Sequence, residues 1–283
     1  MDRIGVLFTL AAYLLWGLFP LYFHALQDVS ALEILAHRIV WSLVVTAAIL
    51  MALRRGEWIR GLVKEPRTLA IFTGSALLIG LNWGTYVYSI VSGQTIEASL
   101  GYFINPLMSV ALAAAGVLYI TISTGTAPFL GLVLAASFAL YGLIRKLAPL
   151  GSLEGMALEN VILAPFALGY MFWLLERGEL LFATEGWDVK TLLLLAGPIT
   201  TIPLLLFASG VRRIPYSTVG IIQYVSPTIV FLLGRFAFGE PFSVEMMTGF
   251  VLIWTAVVVF TVDTVRTTAR LRREINRRAA EDS

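Results

Sequence analysis

The chain has 283 residues, no cysteine, a formal net charge of +2 and a mean hydropathy of +0.85. The lack of cysteine excludes disulfides and any site in which Cys ligates zinc or an iron–sulfur cluster. Only 13% of the residues are charged, whereas a soluble domain carries roughly 25%, so the composition excludes a soluble globular protein. The basic residues lie in short loops and one tail, which argues against a nucleic-acid partner.

Apolar runs long enough to cross a bilayer recur along the whole chain and predict an all-α polytopic membrane protein. The first run begins at Ile4; it is too long for a removed signal peptide and lacks a small-residue cleavage site. A direct count gives about nine spans, at roughly 4–26, 33–53, 68–90, 97–122, 127–145, 154–175, 191–211, 216–238 and 244–264.

The charged loops favour a different count. The basic loop 54–67 follows the second span, so the positive-inside rule places this loop and the N-terminus in the cytoplasm. Nine spans would then put Arg145, Arg212 and the basic tail outside. Two crossings within 97–122 reverse these placements and predict ten transmembrane helices with both termini cytoplasmic. That stretch holds only about 26 residues, whereas two spans need about 40.

The two halves of the chain resemble each other. A five-helix unit that occurs twice is inverted in the membrane, because five is odd, and this arrangement is typical of transporters. The sequence therefore predicts two inverted five-helix repeats, 4–122 and 127–265, followed by a basic cytoplasmic tail at 266–283. Three pairs of matching motifs support the repeat: 11–17 with 136–142, 32–40 with 153–161, and 99–106 with 217–227.

The first repeat is short in the region of its fourth and fifth helices. About 37 residues separate Pro227 from the end of the last span, but only about 16 separate Pro106 from Ile122. Roughly 20 residues are therefore lacking after Val110. Either the chain carries a deletion there, or a stretch of sequence is missing, or the region forms a shortened re-entrant hairpin.

An ionisable side chain inside a span is costly and is a candidate functional residue. Arg38 lies about six residues into the second span, about 9 Å deep. There it could bind an anionic or carbonyl group of a substrate, with Asn82 and Trp83 at the same level. The alternative is a structural arginine bonded to neighbouring carbonyl groups or to Glu97.

Three residues are candidates for proton coupling: His37, Glu97 and Glu159. His37 has an ordinary pKa near neutrality and could relay protons, although a packing role is the alternative. Glu159 is the repeat counterpart of Arg38, but it could equally cap a helix or lie at the headgroup level. The two positions are roughly 12 Å apart along the membrane normal, so we expect no direct salt bridge between them.

Two prolines near the membrane midplane predict a binding site. Pro106 and Pro227 each remove a helical hydrogen bond and free the carbonyl four residues earlier. Irregular backbone at that depth occurs where it lines a cavity or is buried in protein, so a structural kink is the alternative. The candidate substrate-binding residues at this level are Tyr102, Asn105, Gln223 and Tyr224, with Trp16 and Tyr141 as aromatic walls or as packing residues.

Several stretches are similar to the RarD proteins, EamA-type members of the drug/metabolite transporter superfamily. They are "AHRIVWS", "LIGLNW", "EASLGYFINPL", "FALYGLIRK", "TTIPLLLF" and "IQYVSPTIVFLL". The resemblance implies ten transmembrane helices in a bacterial inner membrane and a role in solute export. The chain also departs from the pattern of this family at one place. The second half has a Gly-Glu loop, "FGEPF" at 238–242, but the first half has no such loop after Val110.

These patterns predict a secondary transporter that moves a small organic solute, drug or metabolite by alternating access, and the resemblance implies that the direction is export. No Walker motif is present, so ATP is not expected to drive transport, and we expect no cofactor, metal or catalytic residue. One alternative is a non-transporting receptor or scaffold. Another is an intramembrane enzyme, disfavoured because neither H-E-x-x-H nor G-x-S-x-G occurs. The substrate and the oligomeric state are left open.

Overall fold

A computed structural model describes residues 2–56, 59, 65–107, 121–122, 128–211 and 213–244, and separate positions between 247 and 266. Within this described part, all regular structure is helical and no strand occurs. The predicted short region after Val110 and nearly all of the tail 266–283 lie outside the described residues.

The described helices follow the predicted spans 4–26, 33–53, 68–90, 127–145, 154–175 and 191–211 closely, whereas most of the predicted span 244–264 lies outside the described residues. Six helical stretches of the described residues are long and apolar enough to cross a membrane, five of them single helices and the sixth the interrupted stretch Thr218–Ala237, which confirms an all-α polytopic membrane protein. In chain order the helices are α1 (Arg3–His24), α2 (Ala31–Ala52), α3 (Pro66–Val91), α4 (Thr95–Leu107), α5 (Phe129–Leu147), α6 (Ser152–Arg177), α7 (Leu181–Thr184), α8 (Trp187–Val211), α9 (Tyr216–Ile222) and α10 (Val225–Leu232), followed by a π-helical turn, Leu233–Ala237.

Local sequence sets several helix ends. The Asp2 carboxylate accepts a hydrogen bond from the Ile4 backbone N–H at 2.9 Å, and this cap starts α1. The Ser30 hydroxyl accepts one from the Glu33 N–H at 3.2 Å and starts α2. Helix α6 ends at Gly178, whose φ of 69° lies in the left-handed region that favours glycine.

The predicted span 216–238 is not one continuous helix. It is divided into α9, α10 and the π-helical turn, with a turn at Gln223 and Tyr224. The break has a physical cause, because Pro227 has no N–H to donate to the carbonyl of Gln223. The sequence located the proline correctly but took the span as uninterrupted.

Contacts between loops define the two ends of the helix bundle. At one end, which we call the Glu33 end, the Glu33 carboxylate accepts a hydrogen bond from the Phe182 N–H at 3.0 Å. At the other, the Arg55 end, Arg55 pairs with Glu154 at 3.3 Å. Adjacent long helices therefore run in alternating directions from α1 to α3.

Helices α4 and α5 begin at the same end of the bundle. The Leu130 N–H at the start of α5 donates to the Glu97 carboxylate at the start of α4, at 2.8 Å. Gly101, one turn after Glu97, lies so close to Gly131 that a Cβ on Gly101 would overlap the backbone of Gly131. The two helices therefore pack side by side and run in the same direction, although α5 is the next described helix after α4.

A glycine also allows α8 to approach α2 closely. A Cβ on Gly197 would collide with the backbone of Trp41, so only glycine permits this crossing. One turn further along α8, Thr200 comes to lie against the side chain of Arg38. This crossing therefore sets the position of the site described next.

Candidate functional site

The interior of the bundle holds polar side chains as well as an apolar core, and the outer surface is largely apolar. Large apolar residues such as Leu7, Phe166 and Phe172 are exposed, as expected for helices that face lipid. Functional chemistry must therefore be sought in the interior of the bundle. The polar residues buried there include Glu33, His37, Arg38, Ser42, Thr46, Ser75, Asn82, Glu159, Asn160, Thr200 and Thr201.

Arg38 lies on α2 with only 4% of its surface exposed. Its Nε donates a hydrogen bond to the Thr200 hydroxyl at 2.9 Å, while its buried Nη1 has no hydrogen-bond acceptor. The guanidinium carbon lies 4.3 Å from the centre of the Trp83 ring, and Phe19 and Phe23 follow at 5.7 and 5.8 Å. These three rings form an aromatic cage around the charge.

The described carboxylates make no salt bridge with Arg38. Glu97 was weighed as a partner for Arg38 in the sequence, but its carboxylate accepts the hydrogen bond from Leu130. Glu33, on the same helix as Arg38, accepts its hydrogen bond from Phe182. Both carboxylates cap neighbouring backbone, because they lie where short helices and loops meet at the Glu33 end.

His37 directly precedes Arg38 in the sequence and is fully buried, but its side chain contacts other groups. Its Nδ1 accepts a hydrogen bond from the Trp41 indole N–H at 3.1 Å, and its ring packs 4.7 Å from that of Phe182. The buried Nε2 has no hydrogen-bond partner. The geometry shows packing and one hydrogen bond around His37.

Asn82 and Trp83 are adjacent on α3, but their side chains contact different groups. Trp83 stacks on Arg38, at the same level in the bundle. The amide of Asn82 donates to the Leu134 carbonyl at 3.0 Å and to the Ser137 hydroxyl at 3.1 Å. Asn82 therefore joins α3 to α5 and does not face Arg38.

A second polar centre surrounds Glu159, which is 2% exposed on α6. Its carboxylate accepts hydrogen bonds from the hydroxyls of Ser75 and, at 3.4 Å, Tyr141. Arg145 lies 3.7 Å from the same carboxylate and stacks over the Phe72 ring at 5.2 Å. Glu159 thus has its own cation, and it makes no ion pair with Arg38.

Aromatic rings connect the two polar centres. Phe23 of the cage lies 6.0 Å from Tyr86, which lies 5.3 Å from Tyr102. Tyr102 is followed by Phe138 at 6.4 Å, and Phe138 by Tyr141 at 5.9 Å. We call these five rings the ring chain; it begins at Arg38 and ends at Glu159.

The remaining predicted site residues lie elsewhere. Trp16 packs against Tyr13 and Phe207, at 5.2 and 5.4 Å between ring centres. The Gln223 amide donates to the Gly220 carbonyl at 3.1 Å, within its own helix end.

Tyr224 is buried at the break between α9 and α10. The side chain of Asn105 lies outside the described residues. The structure thus brings Tyr102 and Tyr141 into one chain of contacts. It places Trp16 against the apolar cluster that includes Phe19 and Phe23, and leaves Gln223 with other neighbours.

Sequence reasoning missed several members of both centres. Arg145 was counted as a loop charge, because it lies at the end of a span, and Ser75 and Thr200 are common residues with no motif around them. Phe19 and Phe23 are four residues apart on one face of α1, which is the signal that could have placed them together. Among the described residues, no group of His, Asp and Glu could hold a metal ion.

Comparisons with known proteins agree with this architecture. A model of the EamA-like transporter family matches residues 125–262. The chain is 42% identical over 293 positions to a protein from Streptomyces exfoliatus named RarD, with 97% of this chain and 93% of that protein covered. It is 42% identical to an uncharacterized transporter, YojE, of Bacillus subtilis, with coverage of 94% and 96%. It is 36% identical to RarD of Escherichia coli K12, with coverage of 95% and 97%.

A multi-pass helical membrane protein with polar side chains buried between its helices is consistent with a membrane transporter; the matching family model is that of a transporter family, and YojE is named a transporter. The chain belongs to the RarD proteins of the EamA-like transporter family.

Proposed function

We propose that this protein is a secondary transporter that exports a small organic solute across the bacterial inner membrane by alternating access. The observation that carries the proposal is Arg38, a buried cation without a described counter-ion, in a chain that belongs to a transporter family. A charge kept inside a membrane bundle without a partner marks a substrate or ion pathway more often than a structural contact.

The orientation follows from the charges at the two ends of the bundle. Arg54, Arg55 and Arg213 lie at the Arg55 end, where Arg213 approaches Asp2 at 3.9 Å. Acidic residues such as Glu179 and Glu185 lie in the 178–186 loop at the Glu33 end. By the positive-inside rule the Arg55 end, which includes the N-terminus, faces the cytoplasm, and an even number of crossings places the C-terminus there too.

We further propose that the full architecture is a ten-helix inverted repeat and that the first repeat lacks about 20 residues after Val110. The shared starting end of α4 and α5 supports this, because the chain between them must leave the Glu33 end and return to it. The alignments support it as well. The Streptomyces alignment has 293 positions, whereas 97% of this chain is about 275 residues, so about 18 positions have no residue of this chain.

The substrate path in this proposal follows the ring chain from Arg38 to Glu159. Tyr102 and Tyr141 belong to the chain, and Trp83 is part of the cage at its start. Flat aromatic faces suit a solute that moves between sites without strong binding to either. In this account Asn82 and Trp16 hold the surrounding helices in place.

Of the three proton-coupling candidates, Glu159 fits best. Glu97 accepts a backbone hydrogen bond from Leu130 and is committed to a helix start, and His37 packs against Phe182. Glu159 is buried, has a cation 3.7 Å away and lies at the end of the ring chain. Uptake of a proton would neutralise the carboxylate and free Arg145, which gives a way to link proton binding to movement of α5 against α6.

Transport in a sealed bilayer tests the proposal. Purified protein is reconstituted into liposomes that are loaded with an unlabelled solute. The same solute, labelled, is added outside, and its uptake into the liposomes is followed over time. The proposal expects the labelled solute to accumulate inside the liposomes in a way that depends on the protein and on the internal solute. Binding of a solute to the protein with no flux through the bilayer would instead indicate a receptor or scaffold.

A further inference from the structure

Arg38 is a cation whose partner is not among the described protein groups. Its surface is 4% exposed, its Nε is used by Thr200, and its Nη1 has no acceptor. An arginine in a membrane span is normally paired, because an isolated charge is poorly stabilised in a medium of low dielectric constant. The missing partner is therefore the first question that the site raises.

The carboxylates buried in the described part of the bundle are occupied elsewhere. Glu33 and Glu97 accept backbone hydrogen bonds from Phe182 and Leu130. Glu240 accepts two, from the N–H groups of residues 95 and 96, at 2.7 and 2.8 Å. Glu159 is paired with Arg145. Each of these groups has a structural partner, and none neutralises Arg38.

The cage restricts how a ligand could meet Arg38. The Trp83 ring covers the guanidinium at 4.3 Å, and Phe19 and Phe23 lie at 5.7 and 5.8 Å. Aromatic rings stabilise a cation through its flat faces but leave its N–H edge without an acceptor. A planar carboxylate can accept hydrogen bonds from that edge in the plane of the guanidinium.

We infer that Arg38 binds the carboxylate of a monoanionic organic acid and that the aromatic cage receives its apolar body. This inference rests on the proposed transport function and names its substrate class. A single cation favours one negative charge, since a dianion would remain half-neutralised in this apolar setting. The rings of the cage and of the ring chain favour an aromatic or aliphatic body over a sugar.

Further buried polar atoms without partners lie on α2 and on two helices that pack against it. Ser42 lies one helical turn after Arg38 on α2, and its hydroxyl is fully buried without a partner. Thr201 on α8 and Asn160 on α6 are also fully buried, and their side-chain polar atoms lack partners. Both helices pack against α2. A second polar group on the acid would find donors and acceptors here.

The test compares acids with their amides on the purified full-length protein. The probes are phenylacetate, 3-phenylpropionate, indole-3-acetate and octanoate, each beside the carboxamide of the same skeleton. Kd is measured by ligand-dependent thermal shift, since a ligand that binds the native state raises Tm with occupancy. We expect at least one acid to bind, and its amide to bind at least about tenfold more weakly.

Matched variants locate the effect. Arg38→Gln removes the charge and should raise Kd for the acid by at least about tenfold, while Arg38→Lys keeps the charge and should retain part of the affinity. Arg177→Gln is the control, because Arg177 also stacks on a tryptophan, Trp173 at 4.1 Å, but is exposed. That control should bind the acid like the unaltered protein.

Three results would overturn the inference: no acid in the panel binds, an acid and its amide bind equally, or Arg38→Gln binds the acid with unchanged Kd. Failure of the transport proposal looks different. An acid that binds through Arg38 but does not cross the liposome membrane leaves the site standing and contradicts only the transport function.

Discussion

The guanidinium of Arg38 lies 4.3 Å from the centre of the Trp83 ring, and the described carboxylates form no ion pair with it. Arg145, a half-buried arginine of the second centre, has the buried carboxylate of Glu159 at 3.7 Å. One bundle thus contains a cation paired with a carboxylate and a buried cation without one among the described residues.

Removing the two charges should affect stability in opposite ways. Arg145→Gln leaves Glu159 buried without its cation and should lower the free energy of unfolding by roughly 3–5 kcal/mol. Arg38→Gln removes a charge that has no counter-ion and should leave the stability of the ligand-free protein equal or higher. Thermal denaturation of both variants in the same detergent measures this contrast. A marked loss of stability in Arg38→Gln would show that Arg38 is a structural residue.

Trp83 should contribute to binding through its ring face. Trp83→Leu keeps an apolar side chain but removes the cation–π contact, which is worth about 0.5–2 kcal/mol, so Kd for the bound acid should rise by about 2- to 30-fold. The matched control is Trp173→Leu, which removes the exposed ring under Arg177. Equal affinities for Trp83→Leu and the unaltered protein, measured by titration, would argue against the cage.

Glu159 should couple transport to protons. Glu159→Gln keeps an oxygen that can accept from Ser75 but cannot ionise. We expect exchange of solute at both sides to continue in this variant, whereas accumulation driven by an imposed proton gradient is lost. The measurement is labelled-solute flux in liposomes with and without a pH difference.

The control for Glu159 is Glu240→Gln, which changes a buried carboxylate that caps α4. It should lower stability by about 1–3 kcal/mol and leave the proton dependence of transport intact. Proton-driven accumulation that survives in Glu159→Gln would exclude Glu159 as the coupling residue.

If the first repeat lacks about 20 residues after Val110, as proposed, this should limit activity. Inserting an apolar segment of about 20 residues after Val110 should raise the rate of transport and the Tm, because it would complete two membrane crossings. A Gly/Ser insert of the same length is the control, since it restores length without apolar surface. If the chain without an insert transports as fast as the restored chain, the shortened region is a functional hairpin.

Much of the fold could be predicted because membrane spans are defined by length and hydropathy alone. The predicted span 33–53 and the observed α2, Ala31–Ala52, differ by at most two residues at either end. The break at Gln223 was not predicted as such, because Pro227 signals a lost hydrogen bond but not how the chain responds. Prolines inside α1, α6 and α8 leave those helices unbroken.

The site was harder to predict, since it depends on contacts between distant parts of the chain. The level of Trp83 relative to Arg38 followed from counting residues along two spans. The role of Glu97 did not, because its partner is a backbone N–H of Leu130, which no sequence pattern reveals. The partner of Arg145 could not be predicted either. Its position at the end of a span suggested a loop charge, and its contact with Glu159 arises only from the packing of the helices.

The central claim is that the protein moves an organic acid across the membrane by way of Arg38. The most direct measurement is uptake of a labelled monocarboxylate into liposomes preloaded with the same unlabelled acid, for the unaltered protein and for Arg38→Gln. The account predicts that the unaltered protein exchanges the acid at least about tenfold faster than its carboxamide and that Arg38→Gln abolishes this preference. Equal rates for acid and amide in the unaltered protein, or an unchanged preference in Arg38→Gln, would contradict it.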